Sequence, residues 1–301
     1  MRKIHLLLLL TICSVATQAQ KANSFLIYSV KGSVSVIEDS KGTKAQIGKL
    51  LTDKSKLTVG SNSLVSIICN EASLFSIVKP GTYTMSDFKD SCLSNKSSIT
   101  SNYLKFIWNQ LTTPKGAPEK NRKSYMNNVG AVSRGNISIW IDSRLDTINY
   151  YSGSFPVSWK SYSDAEEFTF DVFDAAEGGK SIFQKVVKKT TVPIADFSSK
   201  LKKGTPYYWQ INVKNEDPEK RKVIYIWDKA SFEKLVTQIR NAEQGTETEA
   251  EKNFRMGFLL ESARFYSDAY GYYQKAAQLN PELELYKKTL EAFRKDYAIG
   301  Q

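Results

Sequence analysis

The spacing of apolar residues changes once along this chain, near residue 229. Before that point the apolar residues form short runs that alternate with polar residues, as in SVSVIE at 33–38 and EFTFDVFD at 167–174. Such alternation, interrupted by glycine and proline, is typical of half-buried β-strands. After residue 229 the apolar residues recur every three or four positions, which is typical of amphipathic helices. The sequence therefore predicts a multidomain protein in which β domains precede an all-α domain.

The β part divides into two units. Residues 24–111 contain strand-like runs separated by glycines and end in NYLKFIWNQL, which has helical spacing. We predict an all-β N-terminal module that this helix closes. Residues 112–129 include two prolines, a glycine and four cationic residues, and they are predicted to be a linker. Six further strand-like runs in residues 130–228 predict a β-sandwich.

The first 19 residues have the three-part pattern of a secretory signal peptide. Arg2 and Lys3 precede an apolar run, and small residues such as Ala19 follow it. We expect cleavage after residue 19 and a periplasmic, envelope-associated or secreted protein. An uncleaved membrane anchor is the alternative, but the run is shorter than the roughly 20 apolar residues that span a bilayer. The mature chain is therefore predicted to have no transmembrane span.

Histidine content limits the chemistry of the mature chain. His5 is the only histidine, and it lies in the predicted signal peptide. Histidine-dependent nucleophilic catalysis and histidine metal sites are therefore excluded. The sequence has no glycine-rich phosphate loop, CxxC pair or calcium loop. We predict a protein that is not an enzyme and uses no cofactor; catalysis by carboxylates alone is the alternative.

Cys69 and Cys92 are the two cysteines beyond the predicted signal peptide. An even number of cysteines in an exported chain permits one disulfide. The alternative is a buried free Cys69 and an unpaired Cys92. Because a disulfide depends on the distance between the two residues, the sequence leaves both alternatives open.

The full chain has a net charge of +11, and the excess of basic over acidic residues is largest in its N-terminal half. Residues 21–110 hold 11 lysines against 6 acidic residues, whereas residues 229–301 are balanced. A basic module suits an anionic envelope component, although scattered lysines favour the alternative of a solvated surface. Export and the lack of a nucleic-acid motif argue against nucleic-acid binding.

The N-terminal module carries a series of glycine motifs, Val30-Lys31-Gly32-Ser33-Val34, Gly48 and Leu57-Thr58-Val59-Gly60. In this order they resemble the FecR-like extracytoplasmic domain over residues 26–86. Lys54-Ser55 departs from that pattern, which usually has Gly-Asp there. The resemblance implies an all-β fold outside the cytoplasm, and it raises a sensor or regulatory role as an alternative function.

The middle stretch carries Val157-Ser158-Trp159 and, later, LKKGTPYYWQINV at 201–213. These segments resemble the strands of fibronectin type III or immunoglobulin-like sandwiches. The resemblance implies a spacer or a binding module.

A 34-residue frame that starts at Ala250 resembles one tetratricopeptide repeat over residues 250–283. Apolar, small, aromatic and proline positions of the repeat are occupied by Met256, Gly257, Leu260, Tyr266, Ala269, Tyr273, Ala276 and Pro281. The resemblance implies a helical hairpin in which Gly257 and Ala269 lie where the two helices cross. Arg264 stands where a glycine is common between the helices. One hairpin cannot bury both of its faces, so the helical runs at 231–242 and 282–297 are predicted to cover it.

The first helix of such a repeat lines a concave groove. Six residues are predicted to face this groove: Glu251, Phe254, Arg255, Phe258, Glu261 and Ser262. Phe254 and Phe258 would then contact an apolar or amphipathic peptide. In the alternative, they pack against the sandwich or the preceding helix.

Together these features predict an extracytoplasmic, non-enzymatic adaptor or scaffold. It would dock another protein through its C-terminal helices and contact an envelope component through its β modules.

Overall fold

The computed structural model describes residues 23–92, 98–113, 122–126, 138–218, 220–241 and 246–300. Antiparallel sheets dominate residues 25–212, and four helices form a C-terminal unit between residues 229 and 296. The predicted fold class, two β domains followed by an all-α domain, is therefore confirmed. The predicted signal peptide lies outside the described residues.

The N-terminal module consists of two four-stranded sheets. The strands are β1 (Phe25–Lys31), β2 (Val34–Glu38), β3 (Lys41–Lys44), β4 (Leu50–Leu51), β5 (Lys56–Val59), β6 (Leu64–Cys69), β7 (Ser73–Ile77) and β8 (Gly81–Thr84). The first sheet has the order β4-β1-β6-β7 and the second the order β3-β2-β5-β8.

Strand β1 is buried on both faces. Phe25 and Ile27 belong to the core between the two sheets, together with Leu57 of β5. Leu26 and Tyr28 belong to a second core, on the outer side of the first sheet. Successive side chains of a strand point to opposite faces, so this sheet must be covered from outside the module.

The helix α1 (Ser98–Thr112) follows the N-terminal module. Its residues Tyr103, Leu104, Phe106 and Ile107 are at most 2% exposed and belong to the second core. The Tyr103 and Tyr28 hydroxyl groups are hydrogen-bonded at 2.8 Å, which links α1 to the outer side of β1.

The middle domain is a β-sandwich, as predicted. One layer is a five-stranded sheet of order β10-β17-β16-β13-β14, and the strand pairs β11-β15 and β9-β12 lie in the rest of the domain. Trp159 and Trp209, the predicted core aromatics, are 5% and 0% exposed. The strands are β9 (Ile139–Trp140), β10 (Thr147–Tyr150), β11 (Pro156–Ser158), β12 (Lys160–Ser161), β13 (Phe168–Phe173), β14 (Ser181–Val187), β15 (Thr191–Pro193), β16 (Thr205–Asn212) and β17 (Lys222–Ile226).

The C-terminal unit contains α2 (Lys229–Asn241), α3 (Glu249–Ser262), α4 (Tyr266–Leu279) and α5 (Glu284–Asp296). Helices α3 and α4 form a hairpin. Arg264, between them, has φ +67°, the left-handed conformation that favours glycine. A Cβ atom on Gly257 would lie 2.8 Å from the Tyr273 ring, so only glycine fits where the two helices cross.

Part of the predicted linker is packed into the protein. Residues Arg122–Tyr125 form a short 3-10 helix, and Arg122 is fully buried. Residues 114–121 and 127–137 of this region and its continuation lie outside the described part. Residues 112–129 were predicted to be a linker; the burial of Arg122 shows that this stretch also contributes a residue to the interior of the protein.

Candidate functional site

The residues assigned to the peptide groove are buried. Five of them, Glu251, Phe254, Arg255, Phe258 and Glu261, are at most 4% exposed, and Ser262 is half-buried. They do not form an open surface. They therefore do not present a groove to a peptide, contrary to the prediction.

Helix α1 of the same chain fills this groove. The Phe106 ring lies 5.1 Å from the Phe258 ring, and the Tyr103 ring lies 5.5 Å from it. On α5, the Tyr286 ring lies 4.5 Å from that of Phe254. The two phenylalanines thus pack inside the chain, against aromatic rings of α1, α4 and α5. Burial of aromatic surface favours this arrangement, because each such ring removes a large apolar area from water.

The polar residues of the groove have internal partners. Arg255 pairs with Glu247 at 2.9 Å and donates from Nη1 to the carbonyl of Ile239, at 2.9 Å. Glu251 accepts from the backbone N–H of Thr248 at 2.7 Å, while the Thr248 hydroxyl accepts from the Glu251 N–H. This reciprocal pair caps α3. Burial raises the pKa of the Glu251 carboxyl. The hydrogen bonds with Thr248 lower this pKa, but they offset only part of the rise.

Glu261 is the centre of a buried network of charged and hydroxyl groups. Its carboxylate accepts from Arg122 Nε at 2.9 Å, from the Tyr273 hydroxyl at 2.9 Å and from the Tyr297 hydroxyl at 3.1 Å. Arg122 Nη2 also donates to Asp296 Oδ2 at 2.7 Å. A buried carboxylate requires such partners to offset its lost hydration. The network therefore attaches the segment around residue 122 to α3, α4 and the end of α5.

Cys69 and Cys92 form a disulfide, with their Cα atoms 5.4 Å apart. The bond joins the end of β6 to a 3-10 turn at Asp90–Cys92, and Cys69 is fully buried. Of the two alternatives that the sequence leaves open, the structure contains the disulfide.

An exposed aromatic pair was missed by the sequence analysis. Trp140 and Tyr162 are 45% and 67% exposed, and both line a cleft of about 420 Å³ between the β9–β12 pair and the end of α5. A usable signal was present for Tyr162, because this aromatic residue lies in the polar stretch KSYSDAEE. A signal was also present for Trp140, because in NISIWI it shares its alternating positions with Asn136 and Ser138, whereas the isoleucines occupy the other positions.

Two other clefts open on the described surface. One, of about 580 Å³, lies between residues 46–49, the end of α1 and the start of α5. The other, of about 540 Å³, lies beside β16 and β17. Its Arg221 is held by the carbonyl oxygens of Ala175 and Gly178, at 2.7 and 2.6 Å.

Within the described ranges, no group of three or more His, Cys, Asp or Glu residues is placed to hold a metal ion. The same residues contain no helix with the length and apolar character needed to cross a bilayer. No protein-family model matches the chain, and no curated protein matches it either.

Proposed function

We propose that the protein is an exported, non-enzymatic adaptor of the cell envelope. Its parts are a FecR-like module, a fibronectin type III or immunoglobulin-like sandwich and a tetratricopeptide-like helical unit. In this adaptor the helices hold the two β modules in fixed positions. Exposed surfaces of the β modules contact a protein partner and an envelope component.

Local geometry supports the assignment of the parts. Two glycines of the FecR-like motif, Gly32 and Gly48, have φ of +78° and +87°, which explains why glycine is needed at both positions. In the helical unit, the contact between Gly257 and Tyr273 is the close crossing expected of a tetratricopeptide hairpin.

The observation that carries the proposal is the filling of the groove by α1. Helix α1 contacts the outer side of β1 through Tyr103 and the hairpin through Phe106, so it joins the N-terminal module to the helices. The sandwich also contacts the helices, because Phe155 stacks on Tyr266 of α4 with ring centres 5.5 Å apart. A partner would have to displace α1 to enter the groove. We therefore assign contacts with partners to the exposed surfaces.

Photocrosslinking in cells that export the protein tests the adaptor function. A photoreactive phenylalanine analogue is placed at position 50, 78 or 186, where the native Leu50, Val78 and Val186 are 49%, 54% and 57% exposed. The adaptor function requires a discrete adduct with one envelope protein from at least one of these positions. Position 104, where Leu104 is 2% exposed, is the control and should give no intermolecular adduct. Absence of a discrete adduct from all three surface positions would contradict the proposal.

A further inference from the structure

The exposed aromatic pair forms a platform on one face of the β9–β12 pair. Trp140 lies directly opposite Lys160 in the antiparallel register. Tyr162 lies one residue beyond the end of β12 and lines the same cleft as Lys160 and Trp140. The Lys160 ammonium lies over the Trp140 ring, 4.9 Å from its centre. We call Trp140 and Tyr162 the aromatic platform.

The aromatic platform differs from the rest of the described surface. The other large apolar side chains that are exposed in the described residues are all aliphatic: Ile47, Leu50, Val78, Val186 and Leu279. Large aromatic side chains are usually buried, and exposed groups of them mark binding surfaces. The pair is therefore a candidate for contact with a ligand.

The cleft beside the aromatic platform is rich in hydrogen-bonding groups. Hydroxyl side chains line it at Ser158, Ser161 and Thr190, and carboxyl groups line it at Asp142 and Asp296. Its volume of about 420 Å³ falls in the range of small-ligand sites. The cleft thus combines exposed aromatic rings with several polar groups that can bind hydroxyls.

Neighbouring cations hold both carboxylates in place. Asp296 accepts from Arg122 Nη2 at 2.7 Å and from Lys123 Nζ at 2.5 Å. Asp142 accepts from Arg144 Nε at 2.7 Å. Burial disfavours the charged form of Asp142, but the hydrogen bonds and charge of Arg144 outweigh burial and lower the pKa of its carboxyl. Asp142 also accepts from the backbone N–H and from Nη2 of Arg144. Since a carboxylate has about four lone-pair sites, about two remain on Asp296 and about one on Asp142 to accept from a ligand.

A sugar ring matches these groups. A pyranose has a face of C–H groups that packs on an aromatic ring and a rim of hydroxyls that pair with hydroxyl and carboxylate groups. A bilayer surface matches them less well, because its anionic phosphate groups would lie against the carboxylates of Asp142 and Asp296. We propose that the aromatic platform and its cleft bind a glycan chain, which is the envelope component contacted by the adaptor. The identification of this glycan as the envelope component rests on the proposed adaptor function.

Titration of the full mature chain with defined glycans tests the inference. The probes are the hexasaccharides of β-1,4-linked N-acetylglucosamine, β-1,4-linked glucose and α-1,4-linked glucose, measured by calorimetry, and purified peptidoglycan, measured by cosedimentation. The peptidoglycan arm separates a wall glycan from a soluble polysaccharide. We expect binding of at least one probe, weakened about tenfold or more by Trp140→Ala and by Tyr162→Ala.

Val186→Ala is the matched control, because Val186 is an exposed apolar residue of the same sandwich on β14. This variant should bind like the unaltered protein, and circular dichroism should show all three variants folded. The inference would be overturned if no glycan bound, or if Trp140→Ala and Tyr162→Ala bound a glycan as tightly as the unaltered protein. Trp140-dependent binding to phosphatidylglycerol vesicles without glycan binding would also overturn it.

The photocrosslinking positions 50, 78 and 186 keep the two proposals separate. A protein adduct without any glycan binding overturns the glycan site and supports the adaptor function. Glycan binding without an adduct supports the site and contradicts the adaptor function as proposed.

Discussion

Phe106 of α1 stacks on Phe258 of α3, with ring centres 5.1 Å apart and ring planes inclined by 22°. Grooves of helical units commonly bind a partner helix through apolar side chains spaced three or four residues apart. Here Tyr103 and Phe106 supply that spacing from within the chain. The helical unit thus binds a helix of its own N-terminal region.

Phe106→Ala is expected to destabilise the protein by about 3–5 kcal/mol, because it removes a buried ring and leaves a cavity between α1 and α3. Urea unfolding followed by circular dichroism measures the change. Lys105→Ala is the control on the same helix, where the side chain is exposed and the expected change is within about 0.5 kcal/mol. Equal effects of the two substitutions would contradict the packing described for α1.

Substitution of glycine by alanine should change stability in opposite directions at two positions of the hairpin. At Gly257 the new Cβ would approach the Tyr273 ring to 2.8 Å, so we expect a loss of about 1–3 kcal/mol from overpacking. At Gly271, an exposed helical position, nothing lies within 4 Å of a new Cβ. There we expect a gain of about 0.4–1 kcal/mol, since alanine has less conformational freedom in the unfolded chain. Thermal unfolding of both variants distinguishes the signs; a stabilising Gly257→Ala would refute the close crossing.

Glu261→Gln should destabilise the protein by about 1.5–3 kcal/mol, because the buried Arg122 would lose its charged hydrogen bonds to Glu261 and keep Asp296 as its one carboxylate partner. Chemical unfolding at neutral pH measures the effect. Glu291→Gln, at an exposed position of α5, is the control and should change stability by less than about 0.5 kcal/mol. The double variant Glu261→Gln with Arg122→Met should lose less than the sum of the single losses, since the two residues are in contact. Additive losses would show that the pair is not coupled.

Asp268 is expected to make stability depend on pH. Burial raises the pKa of its carboxyl to about 6, although a hydrogen bond from Ser152 at 3.1 Å favours the charged form and lowers the pKa. A pKa that is higher in the folded state means that its contribution to stability is present at low pH and is lost as pH rises through about 6. Asp268→Asn should therefore stabilise the protein by about 1–3 kcal/mol at pH 8 and change little near pH 4. Unfolding curves of both proteins at the two pH values provide the measurement, and an equal difference at both pH values would contradict the shift.

Local patterns predicted much of the fold. The alternation in EFTFDVFD places Phe168, Phe170 and Val172 on one buried face, and they are at most 2% exposed. The hairpin is likewise defined over a short stretch, because the contact of Gly257 with Tyr273 depends on residues 16 positions apart.

Long-range contacts were not predictable from such patterns. Helical spacing shows that NYLKFIWNQL has an apolar face, but it does not identify the surface on which that face packs. Arg122 lies among lysines and prolines, which are typical of a solvated segment, yet its partner Glu261 is 139 residues away. The alternation in NISIWI places Trp140 on the polar face of its strand, but it does not show that Trp140 and Tyr162 line one cleft.

Hydrogen exchange of the unmodified protein tests most directly whether α1 fills the helical groove. Mass spectrometry of peptides covering 98–112 and 249–262 compares the protection of α1 with that of α3. The account predicts that amides in the middle of α1 exchange as slowly as those in the middle of α3, because both helices open only when the shared core opens. Rapid exchange of α1 beside a protected α3 would mean that the groove is open, and it would contradict the account.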